Sequence, residues 1–233
     1  MVRVKAEEND YISFIPAKKI NWVRTKLRKW AKDNLRSYPW RDTVEPYEIL
    51  IAEFLLQRTD ADTVKPIYEK FLNHYPTLDK LATARLENIA SILQPLGLFF
   101  RAERLLQTAR IINQKHQGKI PSSEAELLKL PGIGKYTAMA ICSQAYNQPA
   151  AVMDTNVARI LERFFGIQGE RVKSRCKILW QAAETIAPKR KVGAWNLTLL
   201  DFGAKICTAR KPKCSVCPIS DRCNYFNDKK NTQ

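Results

Sequence analysis

Three groups of residues in this 233-residue chain have types and spacings that could do chemistry. The densest is Cys207, Cys214, Cys217 and Cys223, spaced C-x6-C-x2-C-x5-C. Four thiolates in one short loop can hold a metal centre. Structural zinc sites usually show two short-gap pairs, whereas only one gap here is short. The pattern therefore leans toward a [4Fe-4S] cluster, one per chain, with a zinc site or two disulfides as the alternatives. Lys205, Arg210, Lys211, Lys213 and Arg222 surround these cysteines. Their charge favours thiolate over thiol and partly offsets the negative charge of a cluster.

The second group is two carboxylates far apart in the chain. Glu53 has Ile49, Leu50 and Leu56 one helical turn away, with Gln57 at the edge. A carboxyl on an apolar helix face is desolvated, and desolvation raises its pKa into the range of a general acid. A buried structural ion pair is the other explanation. Asp154, in Val152-Met153-Asp154-Thr155-Asn156, stands where a helix begins, and capping alone would account for it. The third group is Leu130-Pro131-Gly132-Ile133-Gly134-Lys135-Tyr136. Two glycines around one apolar residue permit a tight hairpin with uncovered backbone N–H groups, beside the positive end of the next helix. Such a turn binds phosphate without reading bases; a plain helix–helix connection is the alternative.

Helices must position all three. Ile20, Val23, Leu27, Trp30, Ala31 and Leu35 form one apolar stripe, with Lys and Arg opposite. Pro46 opens a second helix, PYEILIAEFLLQRT, apolar nearly all round and so central. Further helical segments are predicted at 62–75, 86–94, 101–116, 123–129, 135–146, 155–165, 173–187 and 194–203, punctuated by Pro and Gly. No stretch alternates as a strand would, so the fold class is all-α. The tail after Tyr225 is expected to fray. Cys142 and Cys176 sit in apolar runs and read as packing residues, and His74 and His116 have no partner at ligand spacing.

Lys and Arg number 39 against 23 Asp and Glu, a net charge of +16 that attracts a polyanion, nucleic acid foremost. No apolar run reaches membrane-spanning length, so no membrane partner is expected. The N-terminal MVRVKAEENDYISF lacks the apolar core of a secretory signal, and a reducing intracellular location (cytoplasmic, nucleoid-associated) is expected.

LPGIGKYTA, then VMDTNVARIL, then LLDFGAKIC with three further cysteines, in this order, resemble the helix-hairpin-helix DNA glycosylases that carry an iron–sulfur cluster, the endonuclease III and adenine-glycosylase group. The resemblance runs from about Tyr38 to Tyr225. It implies two all-α lobes: a helical barrel over 38–148, and a lobe of 1–37 plus 149–233 bearing the cluster. Double-stranded DNA is implied in the groove between the lobes, with one nucleotide flipped out and the protein acting as a monomer.

Bifunctional relatives carry a Schiff-base lysine at the position that Tyr136 occupies here. Lys135 precedes it, but one residue turns a helical side chain by about 100°. The resemblance therefore implies base removal by water without efficient strand cleavage. Adenine-specific relatives usually carry Ser at that position and Gln-Gln after the acidic helix, where this chain has Gln57-Arg58. They also carry a further C-terminal domain, for which a chain ending at Gln233 leaves no room. The chain resembles most the monofunctional branch that removes thymine or uracil mispaired with guanine. An adenine glycosylase acting opposite guanine or 8-oxoguanine is the near competitor, and a non-catalytic iron–sulfur DNA-damage binder the distant one. By the same resemblance Asp154 stabilises the oxocarbenium-like sugar, guides water or bonds transiently to the anomeric carbon. Glu53 protonates or hydrogen-bonds the leaving base, and Tyr136 lines the pocket. Gln57 and Leu98 are wedge candidates, and Arg58 is a candidate contact to the orphaned guanine. Leu130, Gly132, Ile133, Gly134 and Lys135 form the implied phosphate grip.

Overall fold

Pro46 fixes the backbone at the first position of a helix, and the residues after it are apolar on every side. Ile49, Leu50, Ile51, Ala52, Phe54 and Leu55 are all buried, which only a helix enclosed by others achieves. That helix is the centre of one of two compact units into which the chain divides, Ser37–Gln148; the other comprises Met1–Arg36 with Pro149–Gln233. The computed structural model describes residues 15–97 and 100–230, so the N-terminal segment MVRVKAEENDYISF and the wedge candidate Leu98 lie outside the described residues.

The chain enters with α1 (Ala17–Asn34), which belongs to the second unit. The first unit then follows as α2 (Pro46–Leu55), α3 (Ala61–His74), α4 (Leu78–Ala82), α5 (Leu86–Leu93), α6 (Phe100–His116), α7 (Glu124–Leu127) and α8 (Lys135–Gln144). Helices α3 and α8 pack on α2, while α4 and α5 pack on α6. Side-chain caps start several of these helices. Asp60 accepts from Thr63 N at α3, and Ser123 from Glu126 N at α7. Each such cap contributes about 1 kcal/mol.

The second unit is completed by α9 (Thr155–Phe165), α10 (Lys177–Ile186), α11 (Val192–Lys205) and α12 (Asn224–Lys230). Helix α9 lies at its middle, against α10, α11 and α12. Its buried stripe is Val157, Ala158, Ile160, Leu161 and Phe164, and Gly166, at φ 77°, ends it in the left-handed conformation. Among the described residues no strand occurs, and the chain is all-α.

The predicted and observed helices differ in four places. The expected 173–187 helix is broken: a single 3-10 turn, Lys173–Arg175, precedes α10. Cys176 between them is extended and fully buried, and its sulfur accepts from Glu170 N at 3.4 Å. Helix α4 has no counterpart in the periodicity, because five residues are too few to show one. The tail expected to fray is instead helical through Lys230. Asn224 anchors it by donating to Phe165 O at 3.0 Å, and Lys229 and Lys230 lie over the rings of Tyr225 and Phe226. Leu35, assigned to the stripe of α1, lies beyond that helix and is 41% exposed.

Candidate active site and cluster loop

In the first unit the hairpin connects α7 to α8. Leu130 and Ile133 are buried and pin it from below, while Gly134 is exposed. Gly132 has φ 81°, and a Cβ there would fall 2.9 Å from a ring carbon of Phe54 and 3.3 Å from Arg104. Conformation and space thus both demand glycine at this point. Two side chains draw the carbonyls of the turn inward. The Thr108 hydroxyl donates to Pro131 O at 2.7 Å, and Gln57 Nε2 donates to Gly132 O at 2.9 Å. Gly134 is the N-cap of α8 and supplies no side chain to cap it. Carbonyls held inward, a helix N-terminus without a side-chain cap and Lys135 in the first turn suit an anion. Tyr136 follows, half-buried, also in the first turn of α8. Gln57, read from the resemblance as a wedge, braces this hairpin through its amide. Arg58 beside it is exposed and holds φ 59°, a left-handed conformation unusual for a branchless cation.

One turn before the end of α2, Glu53 is 7% exposed. No hydrogen bond or ion pair to another described residue holds its carboxyl, and burial alone pushes its pKa up to about 8. A pKa of about 8 favours the protonated acid at neutral pH, and among the described residues no partner forms the ion pair that was the other explanation.

In the second unit Asp154 caps α9. Its Oδ1 accepts from Asn156 N and Val157 N, both at 2.8 Å, and its Oδ2 accepts from Asn156 Nδ2 at 2.8 Å. Desolvation still raises its pKa, while the Val157 and Asn156 hydrogen bonds and the Arg159 charge oppose the rise. The capping role is real, and it leaves a desolvated, rigidly aimed carboxyl. Behind it runs a chain of polar contacts that the sequence did not reveal. Asn156 Oδ1 accepts from Arg159 Nη2 at 2.7 Å; Arg159 Nη2 also reaches Gly203 O at 2.9 Å, and its Nε reaches Cys207 O at 2.7 Å. Gly203 permits this, since a Cβ there would meet Asn156 Cβ at 2.6 Å.

Cys207, Cys214, Cys217 and Cys223 line one cavity with Ile160, Phe202 and other apolar residues, and no disulfide joins any pair. Among the described residues no three His, Cys, Asp or Glu side chains converge closely enough for a single metal ion. Arg163 anchors the loop, donating to Cys207 Sγ at 3.6 Å, Thr208 O at 2.7 Å and Ala209 O at 2.8 Å. The expectation that neighbouring cations favour thiolates needs correction. Burial dominates, pushing Cys217 up to about 12 and Cys223 upward too, and a metal centre held here would supply the positive charge that favours their thiolates. The Lys205 ammonium donates to Asn34 O at 2.6 Å. Arg222 stacks on Trp22, whereas Arg210, Lys211 and Lys213 are exposed.

Comparison with known proteins places this architecture. Residues 51–185 match the family described as HhH-GPD superfamily base excision DNA repair protein, and residues 207–223 match the iron–sulfur binding domain of endonuclease III. The chain belongs to the HhH-GPD superfamily of base excision DNA repair proteins and carries its iron–sulfur binding segment. A thymine/uracil-DNA glycosylase of Methanothermobacter thermautotrophicus is 41% identical over 88% of this chain and 93% of its own length. An adenine DNA glycosylase of Buchnera aphidicola subsp. Baizongia pistaciae is 39% identical over 90% of this chain, which spans 58% of that protein. The solved structure of a thermostable thymine-DNA glycosylase superposes with a TM-score of 0.86 at 38% identity, covering 91% of this chain and 98% of the other.

Proposed function

We propose that this chain is a monofunctional DNA glycosylase of base excision repair, hydrolysing the N-glycosidic bond of thymine or uracil mispaired with guanine in double-stranded DNA. Glu53 carries the reading: a buried carboxyl whose pKa burial raises to about 8, with no partner among the described residues, is costly to folding and suited to meeting a leaving base. The Gly132 turn supports it, with the carbonyls of Pro131 and Gly132 tied inward and the uncapped start of α8 beside them. Likeness to two thymine glycosylases over most of the chain favours the pyrimidine substrates.

Bond cleavage leaves positive charge on the sugar and negative charge on the base. Asp154, fixed by three hydrogen bonds, stabilises the sugar charge or guides water to it, and Glu53 supplies a proton or hydrogen bond to the base. Tyr136 replaces the lysine that a strand-cutting relative would use, so the sugar–phosphate chain stays intact after base loss. The cysteine loop holds a [4Fe-4S] cluster that keeps Cys207–Cys223 in shape; base removal itself needs only the side chains above. The protein acts as a monomer inside the cell.

The test is a panel of duplexes bearing T:G, U:G, A:G and A opposite 8-oxoguanine, incubated with cluster-loaded protein and then with or without alkali. Alkali-labile sites in T:G or U:G and no break without alkali are expected; intact T:G and U:G strands overturn the reading. Tyr136→Lys should become trappable on DNA by borohydride. One observation favours an adenine glycosylase instead. A neutral acid with a pKa of about 8 is best matched to protonating a purine ring nitrogen, and adenine enzymes stand among the relatives. Release confined to the A-containing duplexes would select that reading.

A further inference from the structure

One buried charge has no part in that chemistry. Arg101, in the first turn of α6, is 1% exposed. Its Nη1 donates to Leu55 O at 2.9 Å, and its Nη2 to Gln57 O at 2.5 Å and to Thr59 Oγ1 at 3.1 Å, while its Nε has no partner. The acceptors are two carbonyls and a hydroxyl, none of them a carboxylate. Burying a guanidinium on such terms is unfavourable, and an apolar side chain of similar length would fill the space at lower cost. What the charge achieves is local. It satisfies carbonyls left over at the C-terminal end of α2 and offsets the negative end of that helix.

The segment so held contains Arg58, whose φ of 59° lies where non-glycine residues are strained. Arg101 bonds the residue on either side of it, Gln57 through its carbonyl and Thr59 through its hydroxyl. The Gln57 side chain is tied to Gly132 O. Within Gln57–Thr59 only Arg58 is exposed. The turn therefore offers one side chain outward and draws its neighbours in.

We propose that Arg101 is a positioning residue: its buried guanidinium sets the Leu55–Thr59 turn so that Arg58 is presented to the orphaned guanine, and opening of the mispair depends on it. The proposal rests on the glycosylase reading above. It assigns the reach into the duplex to Arg58, with Gln57 acting as a brace between the turn and the hairpin.

The test uses full-length, cluster-loaded protein and two duplexes: a G:T duplex with 2-aminopurine beside the mispair, and one with a stable abasic-site analogue opposite adenine, which needs no opening and holds no orphaned guanine. Arg101→Met keeps the bulk and removes the charge and its hydrogen bonds. It is expected to bind the abasic duplex within about twofold of wild type while losing about tenfold of the fluorescence rise on the G:T duplex. Arg101→Lys, which restores the charge with poorer geometry, should recover part of that loss. A wild-type rise in folded Arg101→Met overturns the proposal, as does an equal loss on both duplexes, which marks a merely structural residue. Should Arg101→Met fail to fold, Thr59→Val removes one acceptor alone. It should cut the rise about threefold with abasic binding unchanged, and an unaltered rise overturns the proposal. Wild-type protein that binds neither duplex sinks the glycosylase reading and this inference together, whereas wild-type opening retained in Arg101→Met sinks only the role of Arg101.

Discussion

Glu53 and Asp154 are both carboxyls shielded from water, and the chain treats them in opposite ways. Glu53, inside α2, receives no hydrogen bond from a described residue, and its pKa climbs to about 8. Asp154, at the start of α9, is desolvated as well, but two backbone N–H groups, an Asn156 amide and the Arg159 charge restrain the rise. The difference teaches that burial raises both acids, while donors aimed at the oxygens limit how far the rise goes. A lone acid in an apolar helix is built to hold its proton. A capped acid with a braced neighbour is built to hold its charge and its direction.

The largest break in that contrast is Asp154→Asn. Asparagine caps a helix as well as aspartate, so the thermal midpoint should barely move. Removing the charge opposite a developing cation should slow single-turnover base release by about a hundredfold or more, with mispaired DNA still bound. Wild-type rates in this variant would remove Asp154 from the chemistry.

Next in size is Glu53→Gln, in which the contrast becomes a pH effect. With a folded pKa of about 8, raised from 4.5, wild-type activity that needs the protonated acid should decline as pH rises through about 8. The glutamine variant should lose this limb and be slower by about tenfold to a hundredfold. Stability should run the other way. Between about 4.5 and about 8 the folded chain keeps a proton that the unfolded chain has released, so wild-type stability falls as pH rises through that window. Glu53→Gln should therefore melt higher than wild type at pH 8, and the gap should close toward pH 4.5. Parallel melting curves at both pH values would contradict the raised pKa.

A smaller effect belongs to Asn156→Ala, which removes one donor to Asp154 and the acceptor of Arg159. Base release should fall about tenfold and the acidic limb of the pH–rate profile should move upward, since the carboxylate has lost a hydrogen bond that favours its charged form. Smallest is Gln57→Ala. It frees Gly132 O and should weaken binding of an undamaged duplex by about threefold, as measured by anisotropy, because the hairpin loses one brace.

What the sequence disclosed follows the same physics. Helical periodicity exposed most of the elements, and the isolation of Glu53 was legible because its neighbours one turn away are apolar. The contact chain from Asp154 to the cysteine loop was not. Asn156 and Arg159 look like solvent-facing positions of a helix, and the carbonyls that Arg159 reaches lie 44 and 48 residues further along. Arg101 was hidden for the same reason, since a cation in an amphipathic pattern is read as a wet face until its three acceptors are seen. Gln57 carries a contact that the sequence did not show, because its amide donates to the Gly132 carbonyl. The cysteines were found from spacing, whereas the burial that pushes the Cys217 and Cys223 thiols up was not.

The capping hydrogen bonds of Asp154 carry an evolutionary hazard. Aspartate and asparagine codons differ by one G-to-A transition, which is the outcome of cytosine deamination on the opposite strand. On the proposed reading, the very lesion this protein removes could, at its own gene, yield a version that folds, keeps its loop of cysteines and still occupies mismatches without clearing them. Such a molecule would shelter damage from other repair, a worse state for the cell than having none of the protein at all.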